Sequence, residues 1–99
     1  GFLAWLPPTA DPVPVLSGVA ARCVLPDGEP WPLRAASHVG HPIRHRNDLF
    51  GHDVNLVARL CAAAAPGELV RSSGGPGEPE PLAVRGLDAT VPVWRTVLA

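Results

Sequence analysis

The chain has 99 residues, 46% of them apolar and 17% charged, which suits one small folded domain and leaves too little length for two. A formal charge of -1, with eight scattered arginines and no basic stripe, argues against a general nucleic-acid binder, and no apolar run approaches the roughly 20 residues of a membrane span. Thirteen prolines and ten glycines place much of the chain in turns and argue against a helical bundle.

Residues 2–6 form a short apolar run closed by Pro7-Pro8 and are expected as a buried strand. Val15, Leu16, Val19, Ala20 and Cys23 recur at helical spacing, and the helix should start near Pro14, because proline fits only a first turn. A turn is expected over 26–30, where Pro26, Asp27, Gly28 and Pro30 cluster. Residues 33–39 and 42–46 flank Gly40-His41 and predict a hairpin.

The clearest element is a helix over 53–65, capped by Asp53, favoured by four consecutive alanines and stopped by Pro66-Gly67. At about 100° per residue, Val54, Val57, Leu60 and Cys61 share an apolar face. Asn55 and Arg59, four apart, lie together on a different flank. A short strand follows at 68–71. The stretch 72–81, rich in Gly, Pro, Ser and Glu, reads as a flexible loop without enough apolar content to pack. Strands are predicted at 82–85 and 91–98, the latter alternating Val91, Val93, Arg95 and Val97 against Pro92, Trp94, Thr96 and Leu98. Mixed α and β in a single domain over 1–99 is the expected outcome.

Cys23 and Cys61 are isolated thiols with no CxxC, so neither a disulfide framework nor a zinc knuckle is indicated, and Cys61 is expected in the core. His38, His41, His45 and His52 fall within fifteen residues and invite a metal reading, but their spacing crosses the predicted hairpin and no cysteine stands near. Trp5, Trp31 and Trp94 suit core or interface packing. The chain contains no methionine and begins as a piece cut from a longer protein would; its location is expected to be cytoplasmic.

The segment Asn47-Asp48-Leu49-Phe50-Gly51-His52-Asp53-Val54-Asn55-Leu56-Val57-Ala58-Arg59-Leu60 resembles the D-x-F-G-x-x-V-N-x-A-A-R-L signature of class III adenylate and guanylate cyclases. Residues 33–40 are similar to that family's L-R-V-G-I-H-T-G strand, 65–70 to its A-x-P-G-E-V-L-V exit, and 84–94 to its closing R-G-x-x-x-P-V-x-V-Y stretch. Residues 1–6 resemble the strand after its G-D-G-F turn. The resemblance spans nearly the whole chain.

It implies an α/β sandwich (α+β) of the ferredoxin-like class III nucleotide cyclase fold, truncated at the N-terminus. In the family two chains or halves meet head to tail, one side supplying two metal aspartates and the other an Asn and an Arg. The resemblance puts Asn55 and Arg59 in the second role, as donors to the ribose and to charge developing on the transferring phosphate, for which an always-protonated planar guanidinium is suited. Asp48 and Phe50 match positions implied to contact substrate, Asp48 at the purine base, and Arg85 matches a position implied to contact the triphosphate. The implied substrate is ATP or GTP, the reaction conversion of ATP to cyclic AMP and pyrophosphate, and the partner a second cyclase chain or half.

The metal aspartates and the base-selecting lysine would lie ahead of Gly1, so the implied Mg2+ or Mn2+ would be held by residues outside this chain, and the chain alone is expected to be inactive. Asp11, Pro12 and Pro14 depart from the family's A-D-A-V-x-A-A helix, and Ala35-Ala36-Ser37 from its V-G-I strand. The alternative from another class is an inactive cyclase-like fragment that serves as a nucleotide- or protein-binding module.

Overall fold

The computed structural model describes residues 6, 10–22, 25–29, 32–40, 43–45 and 48–98, with the backbone alone at 43–45 and 48–50. The predicted strand at 2–6, except Leu6, lies outside these residues, as do Cys23, Trp5, Trp31 and His41.

Helix α1 runs over Pro12–Arg22, two residues earlier than Pro14 suggested. Asp11 explains the difference: its Oδ1 accepts a hydrogen bond from the Val13 amide at 3.0 Å, capping the helix one residue before Pro12. Both prolines then sit in the first turn, where their missing N–H groups have no intrahelical partner to lose. The turn that follows is closed by Gly28 N to Leu25 O at 2.9 Å and Leu25 N to Glu29 O at 2.7 Å, with Gly28 at φ 86°.

The expected hairpin between 33–39 and 42–46 does not form. Strand β1, Arg34–Ser37, instead pairs in parallel with β4, Glu68–Arg71, and β2, Ile43–His45, pairs antiparallel with β3, Asp48–Phe50. The hairpin connection therefore falls between His45 and Asp48, and not at Gly40-His41. Gly40 is used for close approach: a Cβ there would stand 2.4 Å from Asp53 Cγ.

Helix α2 covers His52–Ala62, and its N-cap is Gly51, with no side-chain cap bond. Asp53, expected as the cap, lies inside the first turn, where its charge still complements the helix dipole. The Glu68–Arg71 strand falls where expected. Strand β5 covers Glu80–Leu82, displaced from the expected 82–85, and β6 covers Val91–Val97. The four-stranded sheet has the order β1-β4-β6-β5, with β4 and β5 both antiparallel to β6.

Strand periodicity divides the core between the two sheet faces. Val70 and Val93 pack with Leu56, Leu60, Ala64 and Val84, so α2 covers one face. Leu69, Ala35 and Leu98 pack with Val13, Leu16, Ala20 and Leu33, so α1 covers the other. The result is a mixed α/β domain with a mixed sheet between two helices. The buried residues of α2 are Leu56 and Leu60, at i and i+4, and buried Ala64 follows just past its end; Val54, Val57 and Cys61 are only half-buried. The predicted face is thus rotated toward Leu56, because Val70, Val93 and Val84 meet the helix there.

The stretch 72–79 is tied down at its start, where Ser72 N donates to Ser37 O at 3.1 Å, and again at Trp94. Gly75 lies so close to Trp94 that a Cβ would overlap the indole, and Trp94 Nε1 donates to Gly77 O at 2.9 Å. Glycine without a side chain gives this loop the contact that its composition hid.

Arg95 joins three elements. It donates from Nη1 to Glu68 Oε1 at 2.6 Å and to Ala63 O at 3.2 Å, and from Nε to Glu80 Oε1 at 2.8 Å. The hydrogen bond to Glu68 is the chief reason its pKa is raised above the ordinary arginine value, with the charges of both glutamates adding to it. A raised cation pKa contributes stability that is complete below the unfolded value and lost only as pH rises through the folded one, so Arg95 itself adds no pH dependence near neutrality. Arg95→Met should cost about 1–2 kcal/mol, the loss resting mainly on Glu68, since Glu80 is more than half exposed and solvent-screened. Urea unfolding at pH 7 checks this; an unchanged midpoint would place the arginine as decoration.

Candidate functional site

Asn55 and Arg59 are exposed on a flank of α2, beside the stripe that anchors the helix to the sheet. Against that flank runs the segment after β5. Buried Val84 roots it in the α2 core cluster, and Leu87 N donates to Val84 O at 3.1 Å, closing a four-residue turn. Gly86 occupies the third position of this turn at φ 88°, the sign a type II turn requires. Arg85, at the second position, is held exposed at the turn's crest.

The turn and the helix border two shallow cavities that are open to solvent. One, about 500 Å3, is lined by Arg59, Arg85, Ala62, Leu82 and Val84 among others. The second, about 220 Å3, is lined by His52, Asn55, Arg59, Gly86 and Leu87 with Leu56 and Val84. Arg59 and Val84 line both. Among the described residues no carboxylate lines either cavity, and neither Arg59 nor Arg85 is ion-paired. Two uncompensated guanidinium groups and a side-chain amide facing such a space are suited to an anionic ligand with a hydrogen-bonding neutral part.

Three of the five residues singled out in the sequence, Asn55, Arg59 and Arg85, are therefore brought to one surface. Asp48 and Phe50 lie on β3, which Gly51 alone separates from α2; their side chains are outside the described residues. Sequence reasoning named His52 only in a metal reading and Gly86 only as part of the 84–94 resemblance, giving neither a place at this site. Helical spacing could have found the first, since 52, 55 and 59 stand at i, i+3 and i+7. The place of the second depends on a turn folding back over a helix.

A polar chain outside the cavities fixes the start of α2. His38 Nε2 lies 2.7 Å from Asp53 Oδ1 and Nδ1 lies 2.6 Å from Ser72 Oγ. An ionised carboxylate only accepts, so in the neutral ring Nε2 carries the proton and Nδ1 accepts from the Ser72 hydroxyl. The chain links the ends of β1 and β4 to the first turn of α2, two residues before Asn55.

Among the described residues no group of three His, Cys, Asp or Glu side chains is placed to hold a metal ion. The polar side chains lining the cavities are two guanidinium groups, one amide and the lone imidazole of His52, a set that does not fit a resident divalent cation. No helix among them is long and apolar enough to cross a membrane. No protein-family model matches the chain, and no curated protein matches it either.

Proposed function

We propose that this chain supplies the Asn/Arg half of a class III nucleotide cyclase site, on a ferredoxin-like version of that fold. One observation carries the reading: Asn55, Arg59 and Arg85, chosen from motif resemblance, line two adjoining cavities that no described carboxylate borders. Attack of a ribose hydroxyl on the α-phosphate, with loss of pyrophosphate, builds negative charge on the transferring group and on the leaving diphosphate. Arg59 lines both cavities to meet the first, and Arg85 borders the larger one to meet the second. Asn55, in the smaller cavity, offers an amide to the ribose. Asp48 and Phe50 are assigned to the base, which is adenine or guanine. Magnesium or manganese belongs to the partner half in this reading, and none of the steps assigned to this chain runs through it. The assembly is a cytoplasmic head-to-tail dimer.

The test is complementation. The chain is assayed with ATP and manganese alone, then mixed with a cyclase half that keeps its metal aspartates but lacks the Asn and Arg. Cyclic AMP in the mixture alone is the expected result. Silence in both, with the chain folded by circular dichroism, overturns the enzymatic reading in favour of a binding module.

A further inference from the structure

We infer that Gly86 is the positioning residue for Arg59: the absence of a side chain in the 84–87 turn is what lets the guanidinium lie against that turn, where Arg59 lines both cavities. The geometry is direct. A Cβ built on Gly86 would stand 2.5 Å from Arg59 Nη1, 3.4 Å from Cζ and 3.5 Å from Nη2, so the whole guanidinium head rests against the glycine backbone. All three atoms belong to the far end of one flexible side chain, with no backbone atom among them. The steric conflict of a methyl group here is therefore with the Arg59 head and not with a neighbouring main chain.

The turn around Gly86 is fixed independently of the arginine. Val84 is 7% exposed within the α2 cluster, Leu87 packs against that cluster, and the Leu87 to Val84 hydrogen bond closes the turn between them. The glycine surface is therefore held rigidly over α2, while Arg59 on its exposed flank has no described ion pair to hold it. Steric fit against Gly86 is what confines its head. A long side chain loses considerable rotamer freedom when fixed, and a site that fixes it before ligand arrives lowers the ordering cost of binding.

The positioning role rests on the proposed role of Arg59, yet the two fail separately. Gly86 has φ 88°, so any substitution also strains the backbone, and Gly28 supplies the matched control: φ 86°, with nothing within 4 Å of where an added methyl group would lie. Gly86→Ala and Gly28→Ala should each lower Tm by a similar amount, of order 5–10 °C. Only Gly86→Ala should shift the Arg59 Nε–Hε resonance, assigned by its loss in Arg59→Lys, and weaken inorganic triphosphate binding by about tenfold. An Arg59 resonance unmoved in Gly86→Ala overturns the positioning role. A moved resonance with no triphosphate binding by the unaltered chain keeps that role and overturns the phosphate-facing assignment of Arg59. Should Gly86→Ala not fold, the double variant with Arg59→Ala decides the matter: recovery of folding assigns the clash to the arginine head, and failure to recover refutes it.

Discussion

Arg59→Ala in the complemented assembly is expected to lower the rate of cyclic AMP formation about 100- to 1,000-fold, with Tm within about 2 °C of the unaltered chain. The two halves of this result have separate causes. Removing a preorganised donor aimed at developing charge costs that much where water is partly excluded and no other cation takes over. Arg85 borders the larger cavity and cannot replace Arg59, because it does not line the smaller cavity that Asn55 faces. Stability is spared because Arg59 is exposed, joins no described ion pair and touches the fold chiefly through the Gly86 backbone.

Arg59→Lys sharpens the point. Lysine keeps the charge and loses the planar head that fits against Gly86, so a rate nearer to alanine than to arginine would show that shape matters together with charge. An Arg59→Ala assembly as fast as the unaltered one would remove the residue from the mechanism.

The parts of the fold that were legible in the sequence are those governed by local chemistry. The 68–71 strand and the body of the second helix follow from apolar periodicity on either side of Pro66-Gly67, although α2 ends at Ala62 and not at the expected Ala65, leaving most of the alanine run outside it. The Asn55–Arg59 flank follows from helical periodicity alone. What failed was decided by partners distant in sequence. Residues 34–37 read as half a hairpin because Gly40-His41 resembles a turn, yet their edge is taken by 68–71 in parallel, a pairing that no local signal encodes. Asp53 read as an N-cap because it precedes an apolar run, but His38, fifteen residues earlier, engages its carboxylate. The apolar face was placed one residue off, at Val57, because Leu56 is distinguished from it only by Val70, Val84 and Val93 across the interface. The packing roles of Gly75 and Gly86 carry no local pattern, since their value lies in the side chain another element lays against them.

Leu60→Ala is expected to cost about 2–5 kcal/mol and to leave the chain largely unfolded at 37 °C. Leu60 is fully buried and packs α2 onto the sheet through Val70 and Val93, which are themselves fully buried. A truncated leucine here leaves a cavity whose walls belong to three elements, α2, β4 and β6, so collapse around it would break the β4–β6 register. A domain of this size has a stability of about 5–15 kcal/mol, so the loss is a large fraction of it. Val57→Ala, half-buried on the same helix, should cost less than about 1.5 kcal/mol, and the contrast is the measurement: urea midpoints for the two variants side by side. Equal midpoints would restore the helix face centred on Val57. Adjacent residues thus separate the two demands on α2, since Leu60 holds the helix to the sheet and Arg59 presents its cation to the cavities. An Arg59 variant should alter rate without altering the urea midpoint, and a Leu60 variant should do the reverse for whatever fraction of the chain remains folded.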